Sequence, residues 1–512
     1  MTRPRRNHAK WQRRLVYPPR AVIDIGSNTV RLVIYEGTAR APEIVWNEKR
    51  AARLGRDLSE TGRIPDEAAI DALDALARFK LLAADRGIDH IQTVATAAAR
   101  DADNGADFLA KVAQLGLEPR LLTGAEEACA SAHGAIGAFP GADGTVADLG
   151  GGSLELVRIG NGDCSHAVSL PLGTLRLPAH RREQGGLARQ VATGIADSML
   201  SDYPDSPMYM VGGTWRALAA FAMASKNYPL TDPHGFKLDV AVARQVATTL
   251  VDSDPLALAQ VPGVSSMRSA YLPDAAALLL ALLDVFQPSV LIFSSWGIRE
   301  GLLYMDLAEQ QRALDPLLTA VNAFAEPRDA PVTDAARVAG WTVDLANGKG
   351  ARNERLRLSA AQLAAALQRV EPNLRVNHAT EWALDKRWID CDARARAMIC
   401  AALFGSLGRT SAPSKLRELA TDADIREALT WGLGFRLARR LGAGSRTALA
   451  NSRLRLKKKN LVLYLDESRA ALATEPLTRD LEAVAGWLDR KSKIKIGEYS
   501  FDEVEDDIDA DE

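Results

Sequence analysis

Asp24 and Asp148 each close a short apolar run, AVI and TVA, and each opens a turn of small residues followed by a second apolar run. The stretch DIGSNTVRLVIYE at 24–36 lies without a gap over DLGGGSLELVRIG at 148–160. Each copy reads as strand, tight turn, strand. Gly26 in one copy and Gly150, Gly151 and Gly152 in the other let the backbone turn sharply and aim bare N–H groups outward. Ser27, Asn28, Thr29 and Ser153 add short side-chain donors. Such turns suit the oxygens of a phosphate group, and the Asp carboxylates at their mouths suit a hard cation, Mg²⁺ or Mn²⁺, held directly or through water. Glu155 lies two positions past Ser153, on the same face of the return strand, and so forms a metal pair with Asp148, with Asp24 as a third candidate. A single D-x-G turn is ordinary hairpin chemistry. Two aligned copies argue for a duplicated unit closing around one anion.

The elements between the copies must bring them together. After the first hairpin, residues 59–89 carry helical spacing, IQTVAT a strand, and DNGADFLAKVAQLG a second helix. EPRLLTG is a short strand leading to EEACASAHGAIGAF, a helix with acids in its first turn. The order then repeats: hairpin, helical region, MYMVGGTWRALAAFA as strand, glycine turn and helix, and a long helix from Pro273 running into VLIFSSWGIREGLLY. Two α/β domains with a cleft between them result. Ligands of such sheets collect at the carboxyl ends of strands, where Asp24, Asp148, Gly212 and Gly213 fall.

From about residue 313 the chain turns to Ala, Leu and Arg with helical periodicity; LGAGSRT reads as a linker, and RLRLKKKNLVLYL with TRDLEAVAGWLDRKSKIKI as a small α+β unit. The division expected is 15–133, 134–312, 313–445 and 446–500, with an acidic disordered tail at 501–512. The 512 residues, 47% hydrophobic and 25% charged, exceed one core. A net charge of −2 argues against a nucleic-acid partner, although a local basic channel remains compatible with it. Cys129, Cys164, Cys391 and Cys400 show no C-x-x-C spacing, so no zinc knuckle or disulfide framework is expected. With no apolar leader at the N-terminus and no run of about eighteen apolar residues, the expectation is a cytoplasmic protein without a membrane span. His90, His166 and His234 read as ordinary surface or core residues.

DIGSNTVRLVIY, ATAAARDADN, GAEEA, VADLGGGSLELV and VGGTWRALA, in this order, resemble the exopolyphosphatase and guanosine-pentaphosphate phosphatase family over roughly the first 310 residues. The resemblance implies a pair of ribonuclease-H-like, actin-like domains followed by an all-helical HD-like domain and a small α+β C-terminal domain. It implies removal of a terminal phosphate with Mg²⁺. On the family's pattern Gly150, Gly151, Gly152 and Ser153 form the phosphate loop, faced by Ser27, Asn28 and Thr29, with Gly212, Gly213 and Thr214 completing the cradle. Arg100 matches a phosphate-binding arginine, the other reading being a salt bridge with Asp101. Glu127 matches the catalytic base, with Glu126 beside it and helix-terminal stabilisation as the alternative for both. In the stretch that would carry the His-Asp dyad, HATEWALDKRW, Leu384 precedes Asp385; Leu cannot ligate a metal, which leaves His378 a packing or hydrogen-bonding role.

The expected activity is a processive exopolyphosphatase, with guanosine pentaphosphate (pppGpp) phosphatase, polyphosphate-dependent phosphotransfer and a non-catalytic actin-like nucleotide-binding module as alternatives. A homodimer is the expected assembly. Long polyphosphate demands cations beyond the site; RLRLKKKN, LARRLG and RKSKIKI supply them, or else are solvated faces.

Overall fold

A computed structural model describes residues 18–88, 91–182, 186–346 and 351–499. The basic N-terminal run, His90 and the acidic tail at 501–512 lie outside the described residues. The chain packs as two compact units, parting after Pro316.

The first unit holds two sheets of one design. Strands β1 (Arg20–Ile25), β2 (Val30–Gly37), β3 (Pro42–Arg50), β4 (Ile91–Ala95) and β5 (Pro119–Leu121) stand in the order β3-β2-β1-β4-β5. Strands β6 (Gly144–Leu149), β7 (Leu154–Gly160), β8 (Asp163–Leu170), β9 (Met208–Val211), β10 (Lys237–Asp239) and β11 (Val290–Ser294) stand in the order β10-β11-β9-β6-β7-β8. Apart from the added edge strand β10, the second sheet repeats the first: the opening hairpin is antiparallel, and its first strand is flanked by a parallel one. β1 and β6 are buried nearly throughout, as strands with both faces covered must be.

Strand β11 replaces part of the long helix expected from Pro273. The helix Leu272–Phe286 stops at Gln287, which adopts a left-handed conformation, and Pro288 cannot continue it. The fully apolar VLIFS then extends as a buried parallel strand, a pattern that periodicity alone does not separate from a buried helix.

Two helices couple the sheets. Gly124–Ala138 presses Ala128, Ala132, Ala135 and Ile136 on the second sheet and Ala130 toward the first. Ile298–Met305 follows β11 in the chain, yet its Leu302 and Leu303 pack with Val22, Val33 and Tyr35 of the first sheet. Small residues permit the approach of these helices: a Cβ on Gly301 would stand 1.7 Å from the Ala130 carbonyl oxygen, and one on Gly134 would stand 2.4 Å from that of Gly297.

Cys129 and Cys164 are disulfide-bonded, joining the Gly124–Ala138 helix to β8, against the expectation of no disulfide. Thirty-five residues separate them, a distance at which spacing carries no signal and only the fold makes neighbours. Cys391 and Cys400 are buried free thiols.

The second unit is helical up to Gly442, with Trp388 and Trp431 fully buried, and continues into β12 (Ser452–Leu456), β13 (Asn460–Asp466) and β14 (Lys491–Gly497). The last two run parallel across the helix Glu475–Trp487. Leu384 is wholly buried, and His378 Nδ1 lies 3.1 Å from Glu381 Oε2. The arginine-rich run LARRLG is partly consumed within the fold. Arg440 Nε donates to Asp480 at 2.8 Å and Arg436 holds that residue's other oxygen at 3.0 Å, so Arg440 is not a free channel cation. Among the described residues no helix is long and apolar enough to cross a membrane.

Candidate active site

The hairpin turns repeat each other bond for bond. In the first, the Gly26 N–H donates to the Thr29 carbonyl at 3.0 Å; in the second, the Gly150 N–H donates to that of Ser153, also at 3.0 Å. The turns meet. A Cβ on Gly152 would stand 2.5 Å from Ser27 Oγ, and one on Gly151 would stand 3.1 Å from the backbone nitrogen of Asn28. Gly212, at φ +111°, carries the chain from β9 past Asp148 into the helix Gly213–Ser225, where a side chain would strike the Leu149 carbonyl.

A cavity of about 210 Å³ lies between the halves. Asp24, Ser27, Asn28, Thr29, Glu127, Asp148, Ser153, Glu155 and Thr214 line it, together with Gly150, Gly151, Gly152, Gly212 and Gly213. The structure thus brings together every site candidate of the sequence except Arg100.

The acids divide into distinct roles. Glu126 is a capping residue: its carboxylate accepts from the Thr123 N–H at 2.9 Å and from Arg120 at 2.6 Å, bonds that hold its pKa down at about 2. Glu127, its neighbour, turns into the cavity with a side chain only 12% exposed. Burial pushes its pKa up to about 7, with Arg100 opposing the rise and Asp148 and Asp24 adding to it. A carboxylate so placed exchanges a proton at neutral pH, as a general base must.

Asp148 and Glu155 face each other directly across the β6/β7 hairpin. Burial raises both pKa values, and for Glu155 the nearby charges of Glu127 and Asp148 raise it further. Ser131 Oγ donates to Asp148, and Ser169 Oγ donates to Glu155 at 3.0 Å, but among the described residues no cationic side chain lies within salt-bridge distance of either carboxylate. Two buried, facing carboxylates fit a hard divalent cation that completes its shell with waters and substrate oxygens. Asp24 differs, since Arg299 Nη1 meets its Oδ2 at 3.1 Å and supplies a countercharge from the protein. Among the described residues no three acidic, His or Cys side chains converge into a cage.

Arg100 lies outside the cavity lining. Its Nη1 donates to Glu127 Oε2 at 2.8 Å and to the Leu122 carbonyl at 3.2 Å, and its Nε lies 3.4 Å from Asp101 Oδ1. Two carboxylates claim its fork, so here it steadies the Glu127 carboxylate.

The cations that do line the cavity are Arg31, Lys49, Arg216, Arg268 and Arg299. None of them is among the site residues expected from the sequence. Burial, then the charge of Arg299, brings the Arg31 pKa down to about 10. Burial and then Arg268 and Arg299 bring Arg216 to about 9, and burial followed by neighbouring guanidinium charge lowers Arg268 and Lys49. Arg299 is held charged despite burial by Glu300, Tyr35 and Asp24. Tyr35 Oη donates to Glu300 Oε1 at 2.6 Å beneath it. Cations crowded until they depress one another are built to receive an anion. A signal existed for Arg31, directly opposite Asp24 in the hairpin, and for Arg216, one helical turn past Gly213. Arg268, on the short Ser266–Ser269 helix, had none.

Comparison with known proteins adds independent findings. A family model described as the Ppx/GppA phosphatase family matches residues 33–310. Exopolyphosphatase 2 of Mycobacterium tuberculosis is 37% identical over 253 residues, which cover 45% of this chain and 79% of that protein. The crystal structure of an exopolyphosphatase-like protein superposes with a TM-score of 0.50 at 27% identity, covering 56% of this chain and 97% of that one. An exopolyphosphatase from Cytophaga hutchinsonii shares the fold, with a TM-score of 0.51 at 20% identity over 56% of this chain and 97% of its own.

Proposed function

Because the chain belongs to the Ppx/GppA phosphatase family, we propose that it is an exopolyphosphatase that removes the terminal phosphate of inorganic polyphosphate. The observation that carries this reading is the opposition, within one cavity, of the crowded cations Arg31, Lys49, Arg216, Arg268 and Arg299 to the buried Glu127 carboxyl. The N–H groups of the two glycine turns and the guanidinium groups of Arg31, Arg216 and Arg268 take up the charge of the terminal phosphoryl oxygens. Glu127 accepts a proton from water as the water oxygen attacks the terminal phosphorus. The bridging P–O bond breaks, its electron pair leaves with the shortened chain, and orthophosphate is released. A divalent cation bound by Asp148 and Glu155 would offset charge on the anhydride oxygens during the displacement.

The test is phosphate release from long-chain polyphosphate and, separately, from guanosine pentaphosphate, each with Mg²⁺ and with chelator. Mg²⁺-dependent release from polyphosphate is expected. Release from guanosine pentaphosphate alone would move the assignment to the other activity of the family, and release from neither would leave a binding module.

A further inference from the structure

A ladder of alternating charge crosses the cleft and ends on Glu127. Its first rung is Arg176, which follows β8 in the second half and immediately precedes the short helix Leu177–His180. Arg176 Nη2 lies 3.0 Å from Asp101 Oδ2, on the helix Ala97–Asp101 of the first half. The other Asp101 oxygen lies 3.4 Å from Arg100 Nε, and Arg100 Nη1 lies 2.8 Å from Glu127 Oε2. None of the four is fully exposed: their side chains show 18%, 34%, 23% and 12% of their surface from Arg176 to Glu127.

Arg176 is also tied to the glycine turn that would hold phosphate. The N–H groups of Thr174 and Leu175, just before it, donate to the Gly150 and Gly151 carbonyls at 3.0 and 2.9 Å. A guanidinium is planar, so anchoring one edge fixes the other. Asp101 pairs its charge with the Nε edge of Arg100 at 3.4 Å, and Arg100 presents Nη1 to the Glu127 carboxylate in a hydrogen bond. Without Arg176, Asp101 would be free to turn to water. Without Asp101, Arg100 could swing and leave the Glu127 carboxylate without its fixed partner.

We infer that Arg176 and Asp101 are positioning residues that aim the Glu127 carboxylate, so that the phosphate loop of the second half sets the geometry of the base carried by the first. The inference rests on the exopolyphosphatase reading and adds to it two residues that lie outside the cavity lining.

The experiment compares Arg176→Met, Arg176→Lys and Asp101→Asn with the unaltered protein on polyphosphate, and repeats Arg176→Met in a Glu127→Gln background. Expected is a fall in kcat of about ten- to a hundred-fold for Arg176→Met and Asp101→Asn, the scale of a misplaced catalytic group. KM should stay within about two-fold, Arg176→Lys should recover part of the loss, and Arg176→Met should cost nothing further once Glu127 is Gln. A strut that merely braces the cleft would lower the residual rate of the Glu127→Gln protein by the same factor. That result, or a rise in KM with kcat unchanged, overturns the inference while the activity stands. An unaltered protein inert toward polyphosphate overturns both the activity and the inference.

Discussion

Arg31 and Glu155 hold the same place in the two hairpins, each directly across from its Asp, so one copy offers a cation where the other offers a carboxylate. Duplication supplied the cradle, and divergence at this position supplied its polarity. Glu127 shows how little of a residue's role its type reveals. Beside it Glu126, chemically the same, spends its carboxylate on the helix cap. Replacing Glu127 by Gln should lower kcat by roughly 10²-fold or more with little effect on substrate binding, as measured by steady-state phosphate release. Its pKa of about 7 gives that loss a pH signature. A base works when deprotonated, so kcat/KM should climb as pH rises through about 7, and the Glu127→Gln protein should lack this limb. The glycines and both Asp residues were legible in the sequence because turn chemistry restricts them. The cavity arginines were less so: Arg31 and Arg216 stand beside the turn residues, but an Arg on a strand or helix looks the same whether it faces water or a cleft.

The helix Gly124–Ala138 begins at the Glu127 turn, packs on both sheets, and is held to β8 by the Cys129–Cys164 bond. A crosslink spanning 35 residues stabilises a fold by about 3–4 kcal/mol in the chain-entropy limit. Replacing both cysteines by Ser should therefore lower the unfolding free energy by up to about that amount, seen as a reduced denaturant midpoint. Reductant should reproduce the loss in the unaltered protein and change nothing in the double variant. Most elements of the first unit could be read from periodicity, since IQTVA, MYMV and the hairpins are bounded by turn residues. β11 could not, because an apolar stretch between two helices satisfies either conformation until its neighbours β9 and β10 are known. The pairing of Cys129 with Cys164 was equally out of reach, being a property of packing.

The repeated strand order of the two sheets follows from what the aligned hairpins already implied, that one supersecondary plan was used twice. Less visible was that the helix Ile298–Met305, after the last strand of the second sheet, returns to pack on the first. That return lets Arg299 reach Asp24 from the far end of the unit. The change of composition near residue 313 and the parting of the compact units after Pro316 have a shared physical basis, since helices rich in Ala and Leu build a core of their own. One consequence follows from the contact of the two glycine turns, where Gly152 leaves no room for so much as a methyl group beside Ser27. With the turns in contact, no polymer passes between them, and a linear chain is expected to enter by a free tip. Cyclic metaphosphates, which carry the same anhydride bonds but have no tip to insert, should therefore survive incubation that consumes linear chains of equal size, as phosphorus NMR would record; their breakdown at a comparable rate would mean that the recess admits a loop.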